Sequence, residues 1–73
     1  MTAADWIADA VAGLPPLSTA RETAAVLRTS LRNLRRMIVD GRLHAVRARE
    51  TGSSRVLIPR AAIERYLRDL EAP

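Results

Sequence analysis

No cysteine and a single histidine, His44, occur in the 73 residues. Disulfide staples are thereby excluded and a zinc site of the usual ligand number cannot be assembled, so the chain must fold on one small apolar core. The same absence fits a reducing, intracellular setting. No apolar run approaches the ~20 residues that span a bilayer, and residues 1–13 open with acids rather than a basic region, so neither a membrane segment nor a secretory leader is read here. Catalytic chemistry finds no foothold either: His44 has no nucleophile-and-acid set beside it, the acids are sparse, and the hydroxyls fall at caps and turns. The expectation is a soluble, non-enzymatic protein without cofactor, metal or small-molecule ligand.

Lysine is absent as well, and all twelve basic residues are arginine. Selection for forked phosphate and base contacts would produce this bias, but a GC-rich coding sequence explains it more economically. The distribution says more than the total. The net charge is +4, yet from Leu17 to Arg60 ten arginines oppose three acids, Glu22, Asp40 and Glu50, for a local +7. Asp5 and Asp9 at one end, and Glu64, Asp69 and Glu71 at the other, leave the termini mildly acidic. A basic middle of this kind points to a polyanionic partner.

Residues 1–16 read as an N-terminal arm, and 17–71 as the domain. Within the arm, Thr2 can cap a short helix that carries Trp6, Ala10 and Val11 on one side and stops at Gly13 and Pro15-Pro16. An ordered helix packed through Trp6, a partner-binding arm and a frayed tail all remain open for it. Thr19-Ala-Arg-Glu22 has the capping-box pattern and starts a helix near Ala20 that packs through Ala24, Val26 and Leu27. Arg28-Thr29-Ser30 interrupts it. Ser30 caps a second helix, which Gly41 ends by taking a left-handed conformation. Two helices joined by about three residues form the skeleton of a helix-turn-helix.

Beyond Gly41, Leu43–Arg49 and Arg55–Ile58 are β-prone runs separated by Glu50-Thr-Gly-Ser-Ser54, which predicts a hairpin. Val46, Val56 and Ile58 are assigned to its core face, and Arg47, Arg49 and Arg55 to solvent or a ligand. Pro59 opens a last helix with Ile63, Tyr66, Leu67 and Leu70 at apolar spacing. Tyr66 belongs to that packing face rather than to nucleophilic chemistry, and His44 to packing or a strand edge. The fold class is mainly α with a small β-hairpin, in the order helix, helix, hairpin, helix, as in a winged helix-turn-helix.

The second helix has two opposed faces. At about 100° per residue, Leu31, Leu34 and Ile38 fall within about 60° of one another, with Arg32, Asn33 and Arg36 on the far side. Arginine can bond a guanine edge through two donors, and asparagine can both donate to and accept from adenine. These three are the candidate base readers. Arg35 lies at the rim of the apolar face and suits a phosphate, while its stem can cover the core. Thr29 and Ser30 are turn and cap residues whose hydroxyls can also meet a phosphate at the helix N-terminus. Arg47, Arg49, Thr51, Ser53 and Arg55 are the candidate contacts of the wing.

The ordered set Thr19-x-x-Glu-x-Ala24, Val26-Leu27, Ser30, Arg32-x-Leu34-Arg-Arg, Ile38, Gly41-x-Leu43, Val46-Arg47 and Ile58-Pro59-Arg60 resembles the small excisionase-type, MerR-like winged-helix DNA-binding proteins. It covers Leu17 to about Leu70. The resemblance implies that the second helix enters the major groove and the wing reaches the flanking minor groove or backbone. In excisionases, also called recombination directionality factors, several copies bind side by side, bend phage or plasmid attachment-site DNA, and direct a cognate integrase toward excision. It therefore implies double-stranded DNA, an integrase and neighbouring copies as partners, without a membrane, in the cytoplasm of a bacterial or phage-infected cell in association with the nucleoid.

Three positions depart from the family pattern. Arg28 stands where glycine is common in the turn, His44 where proline is common, and Leu57 where the outward face of the strand is usually polar. A small MerR-like transcription regulator would use the same DNA surface, and with 73 residues and no effector domain among them a ligand-sensing regulator is the less expected of the two. A protein-interaction module recruiting a partner through Trp6, Leu57 and the acidic face of the last helix is the reading from another class.

Overall fold

A computed structural model describes residues 5–50 and 53–72, and for residues 48–50 and 53–55 the backbone alone. Its elements are α1 (Trp6–Ala12), β1 (Leu17–Thr19), α2 (Ala20–Leu27), α3 (Leu31–Val39), β2 (Val46–Glu50), β3 (Ser53–Pro59) and α4 (Arg60–Glu71).

Both helices of the central pair begin and end by recognisable backbone chemistry. At the start of α2, Thr19 Oγ1 accepts from the Glu22 amide at 3.1 Å and Glu22 Oε1 accepts from the Thr19 amide at 2.9 Å, a complete capping box. Ser30 Oγ caps α3 by accepting from the Asn33 amide at 3.0 Å. At the other end Gly41, with φ +79, turns the chain out of α3. The amides of Gly41 and Arg42 return to the carbonyls of Ile38 and Met37, so two last-turn acceptors are satisfied in a Schellman motif.

The end of α2 repeats this motif with a residue that has a Cβ. Arg28 takes φ 54, the one positive φ outside glycine among the described residues. Its amide and that of Thr29 donate to the Ala25 and Ala24 carbonyls. The turn in which glycine is common therefore keeps its left-handed geometry with Arg28, at the steric cost of a left-handed arginine.

The sheet has three strands in the order β1-β3-β2, all antiparallel. The hairpin was expected, whereas β1 was not. Its three residues pair across the fold, Leu17 with Pro59, Ser18 with Ile58 and Thr19 with Leu57. The register of the hairpin overturns the assignment of faces. Val46 stands opposite Leu57 and Arg47 opposite Val56, and directly opposed residues share a face. Val46 thus leaves the Val56–Ile58 face and Arg47 joins it. Because side chains alternate, a one-residue offset exchanges the two sides of a strand.

Leu34, Leu43, Ile58 and Ile63 are fully enclosed at the centre, with Ala24, Met37 and Leu67 around them. From α1 the buried pair is Ile7 and Val11. Of the readings open for the arm, the described part is an ordered helix, but it does not pack through Trp6, which is 49% exposed, and Ala10 is exposed too. A spacing of four residues places Ile7 and Val11 on the stripe that meets α4. Asp5, not Thr2, caps α1, accepting from the Ala8 amide at 3.2 Å; Thr2 lies outside the described residues. Trp6 Nε1 donates to Glu71 at 2.6 Å, and Arg68 Nη2 donates to Asp5 at 2.9 Å. Arg60 holds the following loop, its amide bonding the Pro16 carbonyl and its Nη1 the Leu14 carbonyl.

On α4, Ile63 and Leu67 are buried and Tyr66 half-buried, but Leu70 is 65% exposed. Leu57, expected outside, is half-buried, and His44 is exposed ahead of β2 rather than packed. The whole is a winged helix-turn-helix, with α2 and α3 as the helix pair and β2–β3 as the wing.

Candidate nucleic-acid interface

The apolar side of α3 is anchored by Leu34 and Met37, both buried, with Leu31 and Ile38 half-buried beside them. Met37 was overlooked in the sequence because its neighbours Arg35 and Arg36 made the stretch read as polar. With the core on that side, Arg32 and Arg36 lie one turn apart on the opposite face, and both are exposed. Arg35, also exposed, flanks them.

A cleft of about 490 Å³ separates the second half of α3 from the sheet, lined by Arg35, Ile38, Val39, Ala45, Arg47 and Val56. The register described above brings Arg47 to this cleft, which Arg35 also lines. Helix and wing therefore each contribute an arginine to one cleft. Among the described residues no hydrogen bond or ion pair engages the guanidinium of Arg32, Arg35, Arg36 or Arg47, whereas Arg42 pairs with Asp40 at 3.3 Å. Asp40 caps the end of α3, and its charge is met there by Arg42.

At the N-terminus of α3 the side chains are already occupied. Asn33 Nδ2 donates to Thr29 Oγ1 at 2.8 Å and lies 3.8 Å from Met37 Sδ, which ties the turn to the helix. Asn33 in this arrangement offers outward only its carbonyl oxygen, an acceptor suited to the N4 amino group of cytosine. The two-bond pairing with adenine requires it to release Thr29. Ser30 Oγ is likewise used as a cap, but helix geometry leaves the first amides of α3 without intrahelical acceptors and open to a phosphate.

For the wing, the register pairs Arg49 with Ser54, Glu50 with Ser53 and Ala48 with Arg55. Thr51, and the side chains of Arg49, Ser53 and Arg55, lie outside the described residues. The described residues contain no cluster of three or more metal-ligating side chains and no helix long and apolar enough to cross a membrane. Among the described residues, the charges that perturb each other belong to the scaffold. Arg68, together with the Ala8 amide, holds the Asp5 carboxyl below its ordinary value, and Asp5 and Glu64 raise Arg68 in turn.

The sequence profile of a family described as a helix-turn-helix domain matches residues 19–70. No curated protein and no solved structure gives a significant match to the chain.

Proposed function

The chain belongs to the helix-turn-helix domain family, a DNA-binding family that includes excisionase-like proteins, and from that membership we propose that it is an accessory factor of site-specific recombination. It binds double-stranded DNA in a sequence-specific way. In the proposed complex α3 enters the major groove, Arg32 and Arg36 bond base edges, and Asn33 accepts from a neighbouring base. Arg35 and Arg47 neutralise the phosphates that pass along the cleft, with Thr29, Ser30 and the first amides of α3 holding another. Arg49, Thr51, Ser53 and Arg55 extend the contact along the wing.

The observation that supports this reading is the cleft to which α3 and β2 each bring an arginine, Arg35 and Arg47, neither engaged among the described residues. Bending 20 to 30 base pairs costs on the order of 1 to 6 kcal/mol, so an excisionase needs phosphate contacts on two elements, or neighbouring copies, to offset it. Binding side by side would then present the bent attachment site to a cognate integrase.

Mobility shifts on DNA flanking the protein's own gene, followed by an integrase-dependent excision assay, test the proposal. The expected outcome is a ladder of shifted species, affinity that falls steeply with salt, and excision that depends on the protein. A single complex over a promoter, with altered transcription and unchanged excision, would instead identify a MerR-like regulator. No binding at low salt would defeat both and leave the interaction-module reading.

A further inference from the structure

Val39 is the most exposed large apolar side chain among the described residues, at 84%. It ends the helix whose other outward residues are cationic or polar. Positions 32, 36 and 39 follow an i, i+4, i+7 spacing and fall within about 60° of one another, opposite Leu34 and Met37. Val39 is therefore in line with Arg32 and Arg36 rather than beside them. Behind it Ile38, Ala45 and Val56 continue an apolar surface into the cleft, whose rim carries Arg35 and Arg47.

The apolar feature that base pairs project into the major groove is the C5-methyl group of thymine, which 5-methylcytosine shares. We infer that Val39, with the adjoining edge of this cleft, is a receptor for the 5-methyl group of a pyrimidine. The inference rests on the placement of α3 in the major groove proposed above. A valine there supplies dispersion contact without a hydrogen-bonding group that would have to be desolvated. Spacing sets the position of the methyl group. Seven residues from Arg32 to Val39 rise about 10 Å, equivalent to about three base-pair steps.

The test begins by selecting the preferred duplex with the wild-type protein. Each thymine of that site is replaced by deoxyuridine, which keeps every hydrogen bond and removes only the methyl group, and each cytosine by 5-methylcytosine. One thymine about three base pairs from the base that depends on Arg32 is expected to lose about three- to fivefold in affinity, the order expected for one buried methyl-sized group. Val39→Ala is expected to lose the same factor on the parent site, nothing further on the deoxyuridine site, and no thermal stability. A response to cytosine methylation instead would support the same receptor and identify 5-methylcytosine as its ligand.

Guanines that depend on Arg32 or Arg36, in a site indifferent to every methyl change, overturn the inference and leave the major-groove reading standing. A Val39→Ala protein that keeps full methyl sensitivity overturns it too. A selection without sequence preference defeats the major-groove reading itself, and this inference with it. The deoxyuridine series uses unmodified protein and can overturn the inference by itself, while the Val39→Ala comparison assigns the methyl contact to Val39.

Discussion

α3 and α4 each carry three arginines and each bury two large side chains in the same core, yet two of the α4 arginines are taken up by the scaffold and, among the described residues, none of those on α3 is. On α4, Arg68 pairs with Glu64 at 2.8 Å and Asp5 at 2.9 Å, and Arg60 holds the Leu14 carbonyl. On α3, Arg32, Arg35 and Arg36 engage nothing among the described residues. α4 includes Glu64, Asp69 and Glu71, whereas α3 contains no acid. Glu64 one turn away and Asp5 at the start of docked α1 draw Arg68 into the scaffold, while Arg65, despite Asp69 four residues on, engages no partner among the described residues. The arginines of α3 have no carboxylate on their own helix and keep their donors for an external anion.

The shared half of the comparison is tested by the largest effect. Leu34→Ala and Ile63→Ala remove fully enclosed side chains from α3 and α4 respectively. Each is expected to cost about 2 to 5 kcal/mol in urea unfolding, a large fraction of the stability of a small domain. A loss below about 1 kcal/mol for either variant would show that its helix does not depend on the shared core.

Next comes the half in which they differ. Arg36→Ala is expected to lose about 1 to 3 kcal/mol of DNA affinity, relax preference at one base pair and leave the urea midpoint unchanged. Arg65→Ala, at an exposed position of α4, is the matched control and should alter neither. Equal weakening of Arg36→Ala on specific and random DNA would move Arg36 from base reading to phosphate contact.

Smaller effects probe the turn that sets α3 and the contacts that hold α4. Arg28→Gly relieves a left-handed arginine and is expected to stabilise the fold by up to about 1 kcal/mol, read from the urea midpoint. A fall in DNA affinity in the same variant would give Arg28 a phosphate. The smallest effect concerns pH. Because Asp5 is held below its ordinary value, its contribution is complete above about pH 4 and is lost as pH falls through the lowered value. The stability gap between wild type and Asp5→Asn should therefore stay constant from neutral pH to about 4 and close below it. Both partners are exposed, which keeps the gap small.

Features governed by neighbours in the chain were legible from the sequence. Thr19 with Glu22, Ser30 and Gly41 mark helix ends through contacts three or four residues away, and each stands where it was read. Features governed by distant partners were not. β1 exists because Leu17–Thr19 meets Leu57–Pro59, about forty residues on, and nothing within three residues announces a strand. The hairpin was legible but its register was not, since Val46 and Arg47 alternate equally well in either phase. Trp6 looked like the anchor of α1 because of its size, although the stripe facing α4 belongs to Ile7 and Val11. Asn33 was legible as an exposed polar residue, while its bond to Thr29 depends on a turn geometry that Arg28 adopts against its own preference.

Thr19 belongs to two structures at once. Its backbone is the last rung of β1 against Leu57, and its hydroxyl closes the first turn of α2. β3 is the middle strand, bonded to β2 on one side and to this rung on the other. The paired strands are consequently joined to the helix pair with no intervening loop at this point: the residue that ends β1 is the one that caps α2.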